Sequence, residues 1–179
     1  MKAFLFVVII CTVLTQSKAQ ETITWTAGQP LQWCDFAGPV KDTSRFDAES
    51  FAEVRYSYKF NSTTDFSFDV YAKFDKSISW CKKQYQSEAL LKHEQVHFDI
   101  AALYAQKLKE AFENFSYSND FKNEIVQIFN QKKTEYHLMQ QLYDDETNHS
   151  LNILYQKDWE KAIAEQLSKK DVQLNLAKK

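Results

Sequence analysis

Hydrophobic and polar residues alternate along the first half of the chain and recur at helical spacing along the second. Ala52, Val54, Tyr56, Tyr58 and Phe60, preceded by Phe51, take alternate positions, with Arg55, Ser57 and Lys59 between them. Phe66, Phe68, Val70, Ala72 and Phe74 repeat the pattern against Ser67, Asp69, Tyr71, Lys73 and Asp75. Successive strand side chains point to opposite faces, so each run predicts a strand with one apolar face. The polar stretch Asn61 to Asp65 between them predicts a turn, and the two strands then form an antiparallel hairpin. Shorter strands are expected at Thr22 to Thr26 and at Leu31 to Phe36.

From about residue 86 the period becomes helical. Ser87 is the expected N-cap, with Glu88 in the first turn where the helix dipole favours a negative charge. Leu90, Leu91, Phe98, Ala101, Leu108, Ala111, Phe112 and Phe115 follow at three- and four-residue spacings. This helix is expected to end near Asn114 to Asp120. A second is expected from Phe121 to Tyr143, closed by the polar break Asp144-Asp145-Glu146-Thr147-Asn148. A third carries Leu151, Leu154, Tyr155, Trp159, Ile163 and Leu167, and the tail from Lys169 to Lys179 is expected to fray. Strands followed by helices indicate an α+β fold, with a β lobe at about 20–82 and a helical lobe at about 86–170 of one domain.

Composition narrows the chemistry. The chain holds only 2 Gly and 2 Pro, and all four fall between Gly28 and Pro39. Phosphate-cradling loops and dinucleotide fingerprints need glycines for positive φ and close backbone approach, so both are excluded. Hydrophobic residues make up 44% and aromatics 15%, ample for a core. A formal net charge of -2 carries no nucleic-acid footprint.

The N-terminus has the form of an export signal. Lys2 precedes an apolar run from Ala3 to Leu14, and Ser17-Lys18-Ala19 is a small-x-small cleavage site. The run is too short to span a bilayer, so no membrane span is expected in the mature chain. Residues 1–19 are thus expected to be removed after Ala19, leaving a secreted or periplasmic protein beginning near Gln20. Cleavage removes Cys11 and leaves Cys34 and Cys81, an even pair in an oxidising compartment. A disulfide between them is expected, stabilising by about 4 kcal/mol in the chain-entropy model.

The chemistry concentrates in His93-Glu94-Gln95-Val96-His97 on the first long helix. Positions i and i+4 share a helix face, with Cβ atoms about 5–6 Å apart. Two imidazoles there can converge on one Zn²⁺, while Glu94, about 100° round the helix, serves as a base without ligating. A catalytic zinc site wants a third protein ligand and one open position. The metzincin route to that ligand needs Gly and His where this chain has Ile100 and Leu103. The ligand must therefore come from a distant segment. His149, beyond the polar break, is the expected third ligand, with Glu146, Asp145 and His137 as alternatives. Asp145 is also placed to orient His149.

Leu90-Leu91-Lys92-His93-Glu94-Gln95-Val96-His97-Phe98-Asp99-Ile100-Ala101, with Leu103-Tyr104-Ala105 and Lys107-Leu108, resembles the signature of a secreted bacterial family. This is domain of unknown function 922, grouped with zincin-like peptidases. Leu31-x-Trp33-x-Asp35-Phe36, Ser79-Trp80, Tyr143-Asp144, Thr147-x-His149 and Trp159 extend the resemblance over essentially the whole mature chain. It implies a zincin-like fold and a zinc site with His93 and His97 as ligands and Glu94 as catalytic residue. The family usually has Gly after the late histidine, where this chain has Ser150.

Two functions of different classes follow. One is a secreted zinc metallopeptidase acting on a peptide or protein substrate. The other is a non-catalytic extracytoplasmic binding or assembly module with a structural or vestigial metal. Tyr143 or Tyr155 is a candidate oxyanion donor, against a plain packing role, and Asp99 a candidate partner of the ligands. Asn61, Asn114 and Asn148 head N-x-S/T sequons. The hairpin offers an edge on which an extended peptide can add as a strand.

Overall fold

A computed structural model describes residues 21–176. The expected signal segment, its cleavage site at Ala19 and Cys11 lie outside the described residues. Five strands precede three helices: β1 (Thr22–Thr24), β2 (Ala48–Glu49), β3 (Ala52–Ser62), β4 (Asp65–Asp75), β5 (Trp80–Cys81), α1 (Glu88–Glu113), α2 (Phe121–Thr147) and α3 (Ile153–Leu176). The architecture is α+β.

The alternating runs form the expected hairpin. β3 and β4 pair antiparallel from Ala52↔Phe74 to Ser62↔Asp65, with an irregularity between Phe60 and Ser62. β1 adds on the other side of β4, giving the order β1-β4-β3. Phe68, Ala72 and Phe74 of β4 are buried, and Val54, Tyr56 and Val70 pack against the same clusters. A second small sheet pairs β2 with β5.

α1 lies between sheet and helices, contacting β3 and β4 on one side and α2 and α3 on the other. That explains its buried residues on more than one face, from Val96, Phe98 and Ile100 to Leu108 and Phe112. Ser87 caps it as expected, its hydroxyl accepting from the Leu90 amide at 3.2 Å. Among the described residues no helix is long and apolar enough to cross a membrane.

Four expectations are corrected. Leu31 to Phe36 is not a strand but contains a 3₁₀ turn at Trp33–Asp35. The Asp35 carboxylate accepts from the Gln32 amide at 2.9 Å, a local bond that competes with sheet pairing. α2 does not stop at Tyr143 but continues through Thr147. The buried Thr147 hydroxyl donates back to the Tyr143 carbonyl at 2.6 Å, so its polar group is satisfied inside the helix. The backbone of α3 stays helical past Lys169 to Leu176. Cys34 and Cys81 are free thiols rather than a disulfide. Cys34 is exposed on its turn, whereas Cys81 is buried in β5 beside Ala48 and Leu90, so the two face opposite environments.

Candidate metal centre

α1 presents His93 and His97 to α2 one turn apart, and α2 answers with Asp144. The His93 and His97 Nε2 atoms lie 3.1 Å apart, and each is 3.1 Å from Asp144 Oδ1. One proton cannot bridge three mutually close acceptors. A cation can, and donors about 2.0–2.1 Å from a tetrahedral ion sit roughly 3.3 Å from each other. His93, His97 and Asp144 thus form a group able to hold a metal ion.

The far side of each imidazole fixes its tautomer. His97 Nδ1 is 2.5 Å from Gln140 Oε1, while Gln140 Nε2 donates to the His97 carbonyl at 2.9 Å. His93 Nδ1 faces the Thr147 hydroxyl at 3.5 Å. That hydroxyl spends its proton on the Tyr143 carbonyl and so offers His93 a lone pair. With an ion bound, both rings would keep the proton on Nδ1, towards Gln140 and Thr147, and turn a bare Nε2 to the centre.

Electrostatics follow from burial and from Asp144. Burial lowers the His93 pKa, against the pull of the Asp144 hydrogen bond. For His97 burial acts the same way, but the Asp144 hydrogen bond and the charges of Glu94 and Asp144 outweigh it and the pKa is raised. Asp144 is pushed up by burial and pulled down further by its bonds to His93 and His97, so it stays ionised.

Glu94 is buried beside this group. Its Oε2 accepts from the Ser50 hydroxyl at 2.6 Å, and its Oε1 accepts no hydrogen bond from the described residues. Ser50 lies on the segment between β2 and β3, which runs along a cleft of about 750 Å³. His93, Glu94, His97 and Asp144 open onto this cleft.

His149 stands next to the three-atom group, not within it. Its Nδ1 is 3.3 Å from Asp144 Oδ1, and its half-exposed ring packs on Phe46 with centroids 4.8 Å apart. Three consecutive non-glycine residues with positive φ place it there: Asn148 (47°), His149 (50°) and Ser150 (73°). This left-handed run ends α2, Asn148 taking the C-cap. Of the alternatives, Glu146 accepts from the Trp159 indole at 2.7 Å, Asp145 is exposed, and His137 is an exposed residue of the cleft wall beside Tyr136. None of them joins the group.

Tyr143 is wholly buried. Its ring stacks on His93 at 4.6 Å and its hydroxyl donates to the His93 carbonyl at 3.3 Å, a packing role rather than an oxyanion donor's. Asp99 is also structural: it accepts from the Trp25 indole at 2.7 Å and from Gln95 at 2.8 Å, and burial raises its pKa. Sequence reasoning missed Asp144, Ser50 and Gln140. A helical reading carried through Asp144 would have put Gln140 and Asp144 on one face, four residues apart.

Residues 26–150 match the family model of bacterial proteins of unknown function, DUF922. The chain belongs to this family. The match covers the elements carrying His93, His97, Asp144 and His149. No curated protein and no solved structure matches the DUF922 chain.

Proposed function

We propose that this DUF922 protein is an exported zinc-dependent peptidase of zincin-like fold. The observation that carries the reading is the convergence of His93, His97 and Asp144 beside a carboxylate, Glu94, held by Ser50 in a cleft. His93, His97 and Asp144 would hold the ion, and His149 would hold Asp144 from its other side. A bound zinc lowers the pKa of a water towards 7 and polarises a carbonyl. Glu94 takes the proton of the attacking water on Oε1, the oxygen Ser50 leaves free, and hands it to the leaving amine. Gln140 and Thr147 keep both imidazoles aimed while this happens. The apolar segment before Ala19 supports a secreted or periplasmic location, and the substrate is a peptide or protein.

The test is made on the chain from Gln20 onward. It should carry one zinc per chain and degrade an unstructured protein such as casein. A chelator should stop turnover, and Glu94→Gln should stop it with the zinc retained. A chain that takes up no zinc ends the reading.

A second reading rests on His149. Its ring nitrogen, 3.3 Å from Asp144 Oδ1, is close enough to supply a further ligand. Four protein ligands close a zinc site and make it structural, as in a non-catalytic binding or assembly module. Zinc that exchanges slowly, survives with full tetrahedral protein coordination and supports no turnover would favour this module.

A further inference from the structure

α2 packs on the sheet at two places and leaves a gap between them. Phe129 meets Tyr56 of β3 with ring centroids 4.9 Å apart. Two turns on, about 10.5 Å along the axis, the Tyr136 hydroxyl donates to the Ala52 carbonyl at 2.8 Å. Helical period asks for an apolar residue between them on the same face. The chain has Lys132 and Lys133 there instead. The Lys132 ammonium turns to Glu135 on its own helix, at 2.8 Å, and does not fill the space. A cavity of about 310 Å³ results, walled by Phe51, Ala52, Val54, Leu108, Phe129 and Tyr136.

This cavity adjoins the cleft of the metal centre. Phe51, Ala52, Tyr136 and His137 wall both spaces. Its volume lies at the lower end of small-molecule sites, enough for one large side chain and not for a whole peptide. Arg55 pairs with Glu53 and Lys132 with Glu135, and the exposed Lys133 also lines the space. A basic guest would meet Arg55, Lys132 and Lys133, and an acidic one would have to draw Arg55 or Lys132 from its carboxylate or reach the solvated Lys133, whereas an apolar one displaces water from apolar walls.

We propose that this cavity is a specificity subsite that takes a large apolar side chain, aromatic or long aliphatic, of a peptide lying in the adjoining cleft. The assignment of a peptide rests on the function proposed above; the cavity's preference for an apolar guest does not. Selection arises because the turn holding Lys132 and Lys133 leaves the half-buried Val54 open to the cavity, with the core residue Leu108 in its wall.

The test reads binding without turnover. The chain from Gln20 onward, isotopically labelled, is titrated with N-acetyl-phenylalanine amide, N-acetyl-alanine amide and N-acetyl-glutamate amide, and backbone shifts are followed by NMR. The phenylalanine probe should saturate shifts at residues 51–54 and 129–136 with an affinity at least about tenfold above the alanine probe, as burial of a large apolar group gives. Lys132→Leu restores the apolar stripe and fills the gap. It should abolish this binding while leaving the melting temperature unchanged or higher, which separates loss of the cavity from loss of the fold. Equal affinity for the three probes, preference for glutamate, shifts elsewhere, or phenylalanine binding that survives Lys132→Leu overturns the subsite. Zinc-dependent turnover of casein with no preference for large apolar residues would overturn the subsite and leave the peptidase standing. A zinc-free, inactive chain would end the peptidase, and the probe titration would still decide the cavity.

Discussion

Asp144 Oδ1 lies 3.1 Å from His97 Nε2, across 47 residues of sequence and from a different helix. The oxygen is equally close to His93 Nε2. Replacing Asp144 by Ala removes one donor of the group and should cost more metal affinity than the roughly 10–100-fold that follows loss of an outer partner. Gln140→Ala removes the acceptor behind His97 Nδ1 and the donor to the His97 carbonyl but none of the three converging atoms, and should fall within that 10–100-fold range. Competition with a zinc-binding dye measures both, and equal affinity of Asp144→Ala and the parent would remove Asp144 from the centre.

Ser50 reaches the centre only through Glu94, donating to its Oε2 at 2.6 Å. A hydrogen bond to a charged group contributes about 1.5–3 kcal/mol. With Glu94 as the proposed base, Ser50→Ala should therefore lower kcat by about 10–100-fold, with zinc content and KM little changed, because Glu94 would lose its orientation while His93, His97 and Asp144 would not. Unaltered kcat in that variant would show that Glu94 needs no such support.

The left-handed run at Asn148, His149 and Ser150 is strained because none of the three is glycine. Each such residue costs of order 1–3 kcal/mol and persists because its surroundings hold it. Ser150, with φ at 73°, should accept glycine readily. Ser150→Gly is expected to stabilise by about 1 kcal/mol, raising the melting temperature by roughly 2–4 °C in calorimetry. A lower melting temperature would mean that the Ser150 side chain supplies more than the strain costs.

The hairpin, the Ser87 cap and the His93/His97 pair were legible because each is a local pattern: period 2, a capping residue, and i, i+4 spacing on one helix face. Asp144 was not, for a physical reason. Asp-Asp-Glu-Thr-Asn has the composition of a helix end, and α2 passes through it because Thr147 is buried with its hydroxyl satisfied by the Tyr143 carbonyl four residues back. The same continuation turns Asp144 inward and leaves His149 on the strained turn beyond. Ser50 escaped notice because the two-residue strand β2 and the short segment after it, which carries Ser50, have no periodicity to read. The Cys34–Cys81 expectation rested on an even count, and counting says nothing of which way a thiol points.

Gly38 has a different role from the strained turn. A Cβ there would lie 2.7 Å from the Ile78 carbonyl carbon and 2.8 Å from the Ser79 oxygen, both backbone atoms. The Gly38 amide also donates to the Ser79 carbonyl at 2.8 Å. Gly38→Ala must push these two segments apart and should destabilise by about 1–3 kcal/mol, the usual range for overpacking. Ser79 in turn bonds the Phe51 amide at 2.9 Å, beside Ser50, so the same variant should also lower turnover. Urea unfolding reads the first effect; an unchanged midpoint would contradict the close approach.

One ion is expected where His93, His97 and Asp144 converge. Crystals of the zinc-loaded chain from Gln20 onward, with an anomalous map collected at the zinc edge, would locate it. A single strong peak is expected about 2.0–2.2 Å from His93 Nε2, His97 Nε2 and an Asp144 oxygen, with one position left to solvent. No peak between α1 and α2, or a zinc bound by His93, His97 and His149 with Asp144 turned away, would contradict it.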